Sequence, residues 1–123
     1  MIHQSQITKL AEQIVEMVHP ERIILFGSYA YGTPDETSDV DLLIIVPFEG
    51  RGSDAAMRLW DKLRPAFSVE LLVRRPDDTA RRYEQWDPLI REALDKGKVL
   101  YERNGEGVDG ESGGRLPRRR AGV

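Results

Sequence analysis

The 123-residue chain contains no cysteine, which excludes disulfide bonds, thiolate nucleophiles and zinc–thiolate sites. It also lacks any apolar run approaching the ~20 residues that a membrane-spanning helix needs, and its first residues do not form the basic and apolar segments of a signal peptide. We therefore expect a cytoplasmic protein with no membrane partner.

Aromatic residues make up only 7% of the chain, and the net charge of −3 is unevenly distributed. Residues 1–103 hold 14 basic and 18 acidic side chains, whereas residues 104–123 hold four basic and three acidic ones. Stable binding of long nucleic acid depends on many contacts of lysine and arginine with phosphates, and an acidic body does not favour it. The charge leaves open the binding of a single nucleotide that arrives with magnesium.

The composition changes sharply after residue 103. Residues 104–123 contain six glycines, one proline and no aromatic residue, so they cannot bury enough apolar surface to offset the entropy lost on ordering. We expect residues 104–123 to be a disordered Gly/Arg-rich tail. Residues 1–103 are long enough for one domain with its own core.

Apolar residues in residues 1–103 recur with helical and strand periods. The predicted strands are Arg22–Phe26, Val40–Val46, Val69–Val73 and Lys98–Glu102. The predicted helices run from Ser5 to Val18, from Ser53 to the region of Pro65 with Trp60 on the inner face, from Thr79 to Gln85, and from Asp87-Pro88 to Gly97. This order predicts a single α+β (α/β) domain, a small mixed sheet flanked by helices that pack mainly on one side.

Two acidic residues begin the second predicted strand. Because strand side chains alternate between faces, Asp39 and Asp41 should point the same way, with Cα atoms roughly 6.5 Å apart. At ~5 Å and an effective dielectric near 20, their repulsion amounts to about 3 kcal/mol. A bound metal ion such as Mg²⁺ would remove this repulsion and turn the pair into a site.

Gly27 and Ser28 lie where the first predicted strand turns into a helical start. Glycine allows close approach of a ligand to the backbone, and the following N–H groups together with the serine hydroxyl can hold a phosphate. Taken alone, a Gly-Ser pair is usually a cap, and an Asp-x-Asp is usually a solvated start of a strand. Their combination at one fixed spacing is expected by chance in under about 1% of chains of this size.

Glu70 lies within an apolar predicted strand, between Val69 and Leu71, where a carboxylate is costly unless it is paired or bound to a metal. If this strand lies beside residues 40–46, Glu70 can face the same cleft as Asp39 and Asp41. The alternative is that Glu70 faces solvent on the other side of an alternating strand, and its neighbours do not decide between the two.

The pattern GS-x10-DxD, followed by an acidic residue on a later strand, resembles the nucleotidyltransferase superfamily of the DNA polymerase β type. Within it, residues 5–103 look most like the minimal nucleotidyltransferases (MNT proteins), which are encoded beside HEPN-domain partners. The resemblance implies that Gly27 and Ser28 hold the triphosphate of ATP, that Asp39 and Asp41 bind Mg²⁺, and that Glu70 completes the metal site and helps to deprotonate an acceptor hydroxyl.

Two residues depart from the family pattern. Relatives often carry Arg or Lys where Tyr31 stands, so one positive charge near the phosphates is missing. The third acid is often Asp, and Glu70 is longer by one methylene group. Either difference could reduce or redirect the activity.

The resemblance implies a magnesium-dependent enzyme that moves AMP from ATP to a hydroxyl group, most simply a tyrosine of a HEPN toxin, and so acts as an antitoxin in a hetero-oligomer. The alternative is a non-catalytic antitoxin that neutralises its partner by occlusion. Modification of a small molecule such as an aminoglycoside is less favoured because it usually needs a further domain. Trp86 and Tyr83 could stack on a base, but packing is the expected role.

Overall fold

The computed structural model describes residues 2–103, and the predicted disordered tail lies outside these residues. No helix among them is long and apolar enough to cross a membrane. In chain order the elements are α1 Gln4–Val18, β1 Arg22–Phe26, α2 Ser28–Tyr31, β2 Val40–Ile45, α3 Gly52–Leu63, β3 Val69–Arg74, α4 Pro76–Glu84, α5 Pro88–Lys96 and β4 Lys98–Glu102.

The four strands form one mixed sheet in the order β3-β2-β1-β4. Strand β1 pairs antiparallel with both β2 and β4, whereas β2 and β3 are parallel. A parallel pair needs a crossover connection, and α3 provides it between β2 and β3. The α+β fold with a small mixed sheet, predicted from the sequence, is confirmed.

Helices cover both faces of the sheet, so the expectation of packing mainly on one side is wrong. The even-numbered residues of β2 pack with α1 and Leu59 of α3, whereas Leu43 and Ile45 pack with Ile90 and Ala93 of α5. The nearly continuous apolar sequence of β2 already requires cover on both faces. Helix α5 supplies the second cover, and it brings Glu92 close enough to Asp41 for their charges to interact.

The start of α1 and the inner face of α3 differ from the predictions. Helix α1 begins at Gln4 rather than after Ser5, since the Gln6 side chain accepts a hydrogen bond from the His3 N–H and closes the first turn. In α3 the buried residue is Leu59, whereas the side chain of Trp60 is 44% exposed. One residue is about 100° of helical rotation, and Trp60 is therefore turned toward the outer edge of β3.

Helix α5 begins as the sequence predicts. The Asp87 side chain accepts hydrogen bonds from the N–H groups of Leu89 and Ile90, and Pro88 occupies the first helical position. The expected packing role of Trp86 is wrong, since Trp86 has φ 62°, is 71% exposed and lies 3.7 Å from the Arg91 guanidinium. Tyr83 is partly buried against the α5 side of the sheet, which agrees with a packing role.

Candidate active site

The candidate site lies at one end of the sheet. Strand β1 ends there at Phe26, and the antiparallel register places Asp41 directly opposite Phe26. Strand β3 begins at the same end because it runs parallel to β2. The turn at Gly27 and the acidic residues of β2 and β3 are thereby brought together, although they are separated by up to about forty positions in the chain.

Gly27 is in a conformation that other residues avoid, with φ 79° and ψ −163°. A Cβ atom built on Gly27 would overlap with Oδ2 of Asp41. The Asp41 carboxylate therefore lies directly against the backbone at the Gly27–Ser28 turn. Ser28 is the first residue of α2, and Gly32, which follows the last helical residue, is in the left-handed conformation.

Asp41 and Glu70 are directly opposite partners in the parallel β2–β3 ladder, and so their side chains project from the same face of the sheet. The pKa of Asp41 is raised from 3.8 to about 6 by its burial, by the charges of Glu70 and Asp39, by a hydrogen bond with Glu70 and by the charge of Glu92. The alternative that Glu70 faces the opposite side is excluded by this register.

Asp39 lies one residue before β2 and is exposed. It accepts a hydrogen bond of 2.5 Å from the hydroxyl of Ser68. Across residues 2–103, no three acidic or histidine side chains stand close enough to form a metal-binding group. The arrangement is therefore a close pair, Asp41 and Glu70, with Asp39 near enough to act on Asp41 through its charge.

Sequence reasoning missed a fourth carboxylate, that of Glu92 on α5. The Tyr31 hydroxyl donates a 2.7 Å hydrogen bond to Oε2 of Glu92, and the charge of Glu92 contributes to the raised pKa of Asp41. Burial and then the hydrogen bond to Glu92 raise the pKa of Tyr31. The two residues are 61 positions apart, so no local spacing could have revealed their contact.

The side chains at this end of the sheet suit a hard divalent cation. Carboxylate oxygens are the ligands that Mg²⁺ prefers. A bound Mg²⁺ would neutralise the two negative charges of Asp41 and Glu70. The Asp41 carboxylate occupies the space that a side chain at position 27 would fill. A cation bound by this carboxylate would therefore lie close to the backbone of the Gly27–Ser28 turn.

The family described as "Nucleotidyltransferase domain" matches residues 7–100. Two proteins of Methanocaldococcus jannaschii, both named as predicted protein adenylyltransferases, are similar in sequence. MJ0604 is 33% identical over 82 residues, which cover 66% of this chain and 78% of that protein. MJ1305 is 36% identical over 88 residues, which cover 67% of this chain and 58% of that protein.

Solved structures share the fold. A predicted nucleotidyltransferase of Sulfolobus solfataricus aligns with a TM-score of 0.54 and 25% identity, covering 82% of this chain and 86% of that one. A toxin–antitoxin structure with AMP-PNP aligns with a TM-score of 0.52 and 24% identity, covering 82% of this chain and 74% of that one.

The chain belongs to the nucleotidyltransferase domain family, and its enzyme class is that of the nucleotidyltransferases. The superfamily indicated by the Gly27–Asp41 motif is thereby confirmed.

Proposed function

We propose that this nucleotidyltransferase transfers AMP from ATP, with Mg²⁺, to a tyrosine hydroxyl of a HEPN-domain toxin and thereby acts as its antitoxin. The position of Asp41 carries the proposal, because this carboxylate lies between Glu70 and the Gly27 backbone. Two opposed carboxylates beside a glycine turn suit a polyphosphate whose charge is shared with a cation.

Different residues of this chain bind the nucleotide, hold the cation and accept the proton. Gly27 and Ser28 hold the phosphates of the nucleotide through the backbone at the start of α2. Asp39, Asp41 and Glu70 would hold the cation. Glu70, which is more exposed than Asp41, accepts the proton of the acceptor hydroxyl. Mg²⁺ when bound neutralises charge on the α-phosphate and on the departing pyrophosphate.

The bonds and protons balance in a single displacement. The hydroxyl oxygen of the acceptor forms a bond to the α-phosphorus, and the bond from that phosphorus to the oxygen bridging to the β-phosphate breaks. Pyrophosphate leaves with the electron pair, and the hydroxyl proton passes to the carboxylate. No oxidant or further reactant is needed.

The names of the similar proteins support the choice of nucleotide and acceptor. MJ0604 and MJ1305 are named for adenylyl transfer to protein. The toxin–antitoxin complex that shares the fold was solved with AMP-PNP, an ATP analogue. ATP and a protein partner are accordingly the first substrates to test.

The test combines the purified chain, a purified HEPN-domain protein that binds it, Mg²⁺ and ATP labelled at the α-phosphate. Label should appear on the partner, and Asp41→Asn or Glu70→Gln should lower the rate by at least 100-fold. Asp61→Asn, which changes an exposed carboxylate on α3, is the matched control and should retain the wild-type rate. A bound partner that acquires no label from the wild-type chain would refute the proposal.

One observation favours occlusion without chemistry as the second candidate. Asp39 is engaged with Ser68, and the described residues contain no ready-made group of three metal ligands. The double variant Asp39→Ala with Asp41→Ala separates the two functions. If this variant binds the toxin and still neutralises it, transfer is not required for protection.

A further inference from the structure

We propose that the groove between α3 and the outer edge of β3 docks the acceptor protein through an extended segment that carries an apolar and an acidic side chain. This inference rests on the proposed function, because it supposes that the acceptor is a protein. The groove has a volume of about 360 Å³. Its lining includes Met57, Trp60, Leu71, Leu72 and Arg74.

Large apolar side chains are open to solvent along this groove. Met57 is 72% exposed and Trp60 is 44% exposed, and both lie on the side of α3 that faces the β3 edge. Isolated exposed apolar residues are common, but a neighbouring pair beside a groove is typical of interaction surfaces. Tryptophan and methionine are enriched at protein interfaces.

The main chain of β3 offers a second kind of contact. Among residues 2–103, β3 pairs only with β2, so its outer side has no strand partner. The end near Val73 is already covered, since Gly52 approaches the Val73 carbonyl and the Arg74 guanidinium donates to it at 3.0 Å. The open part of the edge is therefore the start of β3, where an extended peptide can add as a strand.

Arg74 indicates the charge of the segment that binds. It is the only charged residue among the described residues that line the groove. Its side chain is partly exposed, its guanidinium donates to the neutral Val73 carbonyl, and no acidic side chain of the described residues forms an ion pair with it. A carboxylate on the docked segment would pair with the exposed part of the guanidinium through a charge-assisted hydrogen bond.

The groove lies on the α3 side of the sheet and Glu70 projects from the other side, but the side chains of a strand added to the β3 edge would alternate between the two sides. Arg74 lies four positions after Glu70, a distance of about 13 Å along an extended strand. A segment docked beside β3 with its carboxylate at Arg74 would bring residues about four positions away to the carboxylate pair of Glu70 and Asp41. Strand β3 would therefore both bind the acceptor segment and position its hydroxyl group.

Pairing of β3 with a second copy of this chain is a less favourable use of the groove. An antiparallel pairing centred on Leu72 places Glu70 opposite Arg74 of the other copy. That ion pair would occupy the carboxylate that the proposed transfer uses. A foreign segment satisfies Arg74 and leaves Glu70 free.

The experiment measures the affinity of a purified HEPN-domain protein for groove variants of this chain, together with the steady-state transfer of labelled AMP. Trp60→Ala and Met57→Asp should each weaken binding by about 30-fold and raise the KM for the protein acceptor. The KM for ATP, the kcat at saturating acceptor and the thermal shift with Mg²⁺ and ATP should be unchanged. Both side chains are exposed, so these variants should fold.

The controls are Trp86→Ala, which removes an exposed tryptophan elsewhere, and Val99→Asp, which alters the opposite edge strand, β4. Unchanged binding by Trp60→Ala and Met57→Asp, or an equal loss in the controls, would overturn the groove assignment. A dimer that becomes monomeric in Trp60→Ala, with acceptor affinity unchanged, would assign the groove to a second copy instead. Wild-type binding without transfer would overturn the proposed function alone, and neither binding nor transfer would overturn both.

Discussion

At the scale of single residues, Asp41 combines partial burial with three acidic neighbours. Its pKa of about 6 in the folded protein lies above the ordinary value of 3.8, so the folded state binds the proton more tightly than the unfolded state. Stability should therefore fall as the pH rises from about 4 to about 6 in the absence of a divalent cation. The ionised carboxylate therefore destabilises the fold, which agrees with the binding role proposed for it.

Asp41→Asn should make the metal-free protein more stable at pH 7.5 and have almost no effect at pH 4. The pKa difference corresponds to roughly 3 kcal/mol, and solvent screening of a partly exposed group reduces the expected gain to about 1 kcal/mol. Urea denaturation at both pH values in EDTA measures it. Asp61→Asn should change stability by less than about 0.5 kcal/mol at either pH, and equal stability of Asp41→Asn and wild type at pH 7.5 would contradict the prediction.

Gly27→Ala should impair both folding and transfer. The positive φ and extended ψ cost a non-glycine residue about 1–3 kcal/mol, and the added Cβ would displace the Asp41 carboxylate. Gly32→Ala is a matched control, because Gly32 has the same φ of 79° but no atom within 4 Å of the added Cβ. Chemical denaturation measures the loss of stability in both variants, and the transfer rate should fall for Gly27→Ala only. Equal transfer rates in the two variants would show that Gly27 is not part of the site.

At the scale of elements, α5 connects the core to the site. Ile90 and Ala93 are buried against the sheet, and Glu92 on the same helix holds the Tyr31 hydroxyl. The start of α5 depends on Asp87. Burial alone would raise the pKa of Asp87, but hydrogen bonds from the Ile90 N–H and from Arg82 lower it.

Asp87→Ala should destabilise the protein by about 1–2 kcal/mol at pH 7, because two N–H groups of α5 lose their acceptor. Since the folded pKa is lowered, the stabilisation by Asp87 is present above pH 4 and is lost as the pH falls further, and the difference from wild type should shrink there. Thermal denaturation across this range provides the measurement. Asp54→Ala, which removes a first-turn acid of α3 that caps nothing, should show a much smaller change, and a similar loss would argue against the capping role.

Most elements could be predicted because their signals are local. Apolar runs fixed β1 and β4 at the observed bounds, and Asp87-Pro88 and Gly97 marked the ends of α5. Which face of α3 is buried could not be predicted in this way. Trp60 fits the apolar side of the helix in the sequence, and only the position of β3 at the edge of the sheet leaves it exposed. Glu92 and the two-sided cover of the sheet depend on contacts between residues far apart in the chain, which periodicity does not report.

The site itself was predictable where its residues are close in sequence or follow strand alternation. Gly27, Asp39 and Asp41 belong to one motif, and only the strand order was needed to place Glu70 opposite Asp41. The hydrogen bond of Asp39 to Ser68 was not predictable, because the Ser68 hydroxyl comes from the loop before β3. Their roles in metal and nucleotide binding stay predictions.

At the scale of the whole molecule, binding of Mg²⁺ with ATP should stabilise the fold. A ligand at 100 times its dissociation constant adds about 2.7 kcal/mol, which for a domain of this size is a rise in Tm of roughly 10 °C. ATP in EDTA should give a much smaller rise, and Asp41→Ala should abolish the Mg²⁺-dependent part. Equal shifts with and without Mg²⁺ would show that nucleotide binding does not use the carboxylates.

The one-to-one register between β2 and β3 also limits how sequences of this family can diverge in length. Leu71 and Val73 pack beneath α3 while Glu70 projects from the other face, and so a single inserted or deleted residue within 69–74 would exchange the two faces. Such a change would expose a core valine and bury the acid in one step. Alignments of natural homologues should therefore show gaps in the connecting segments and none within this strand.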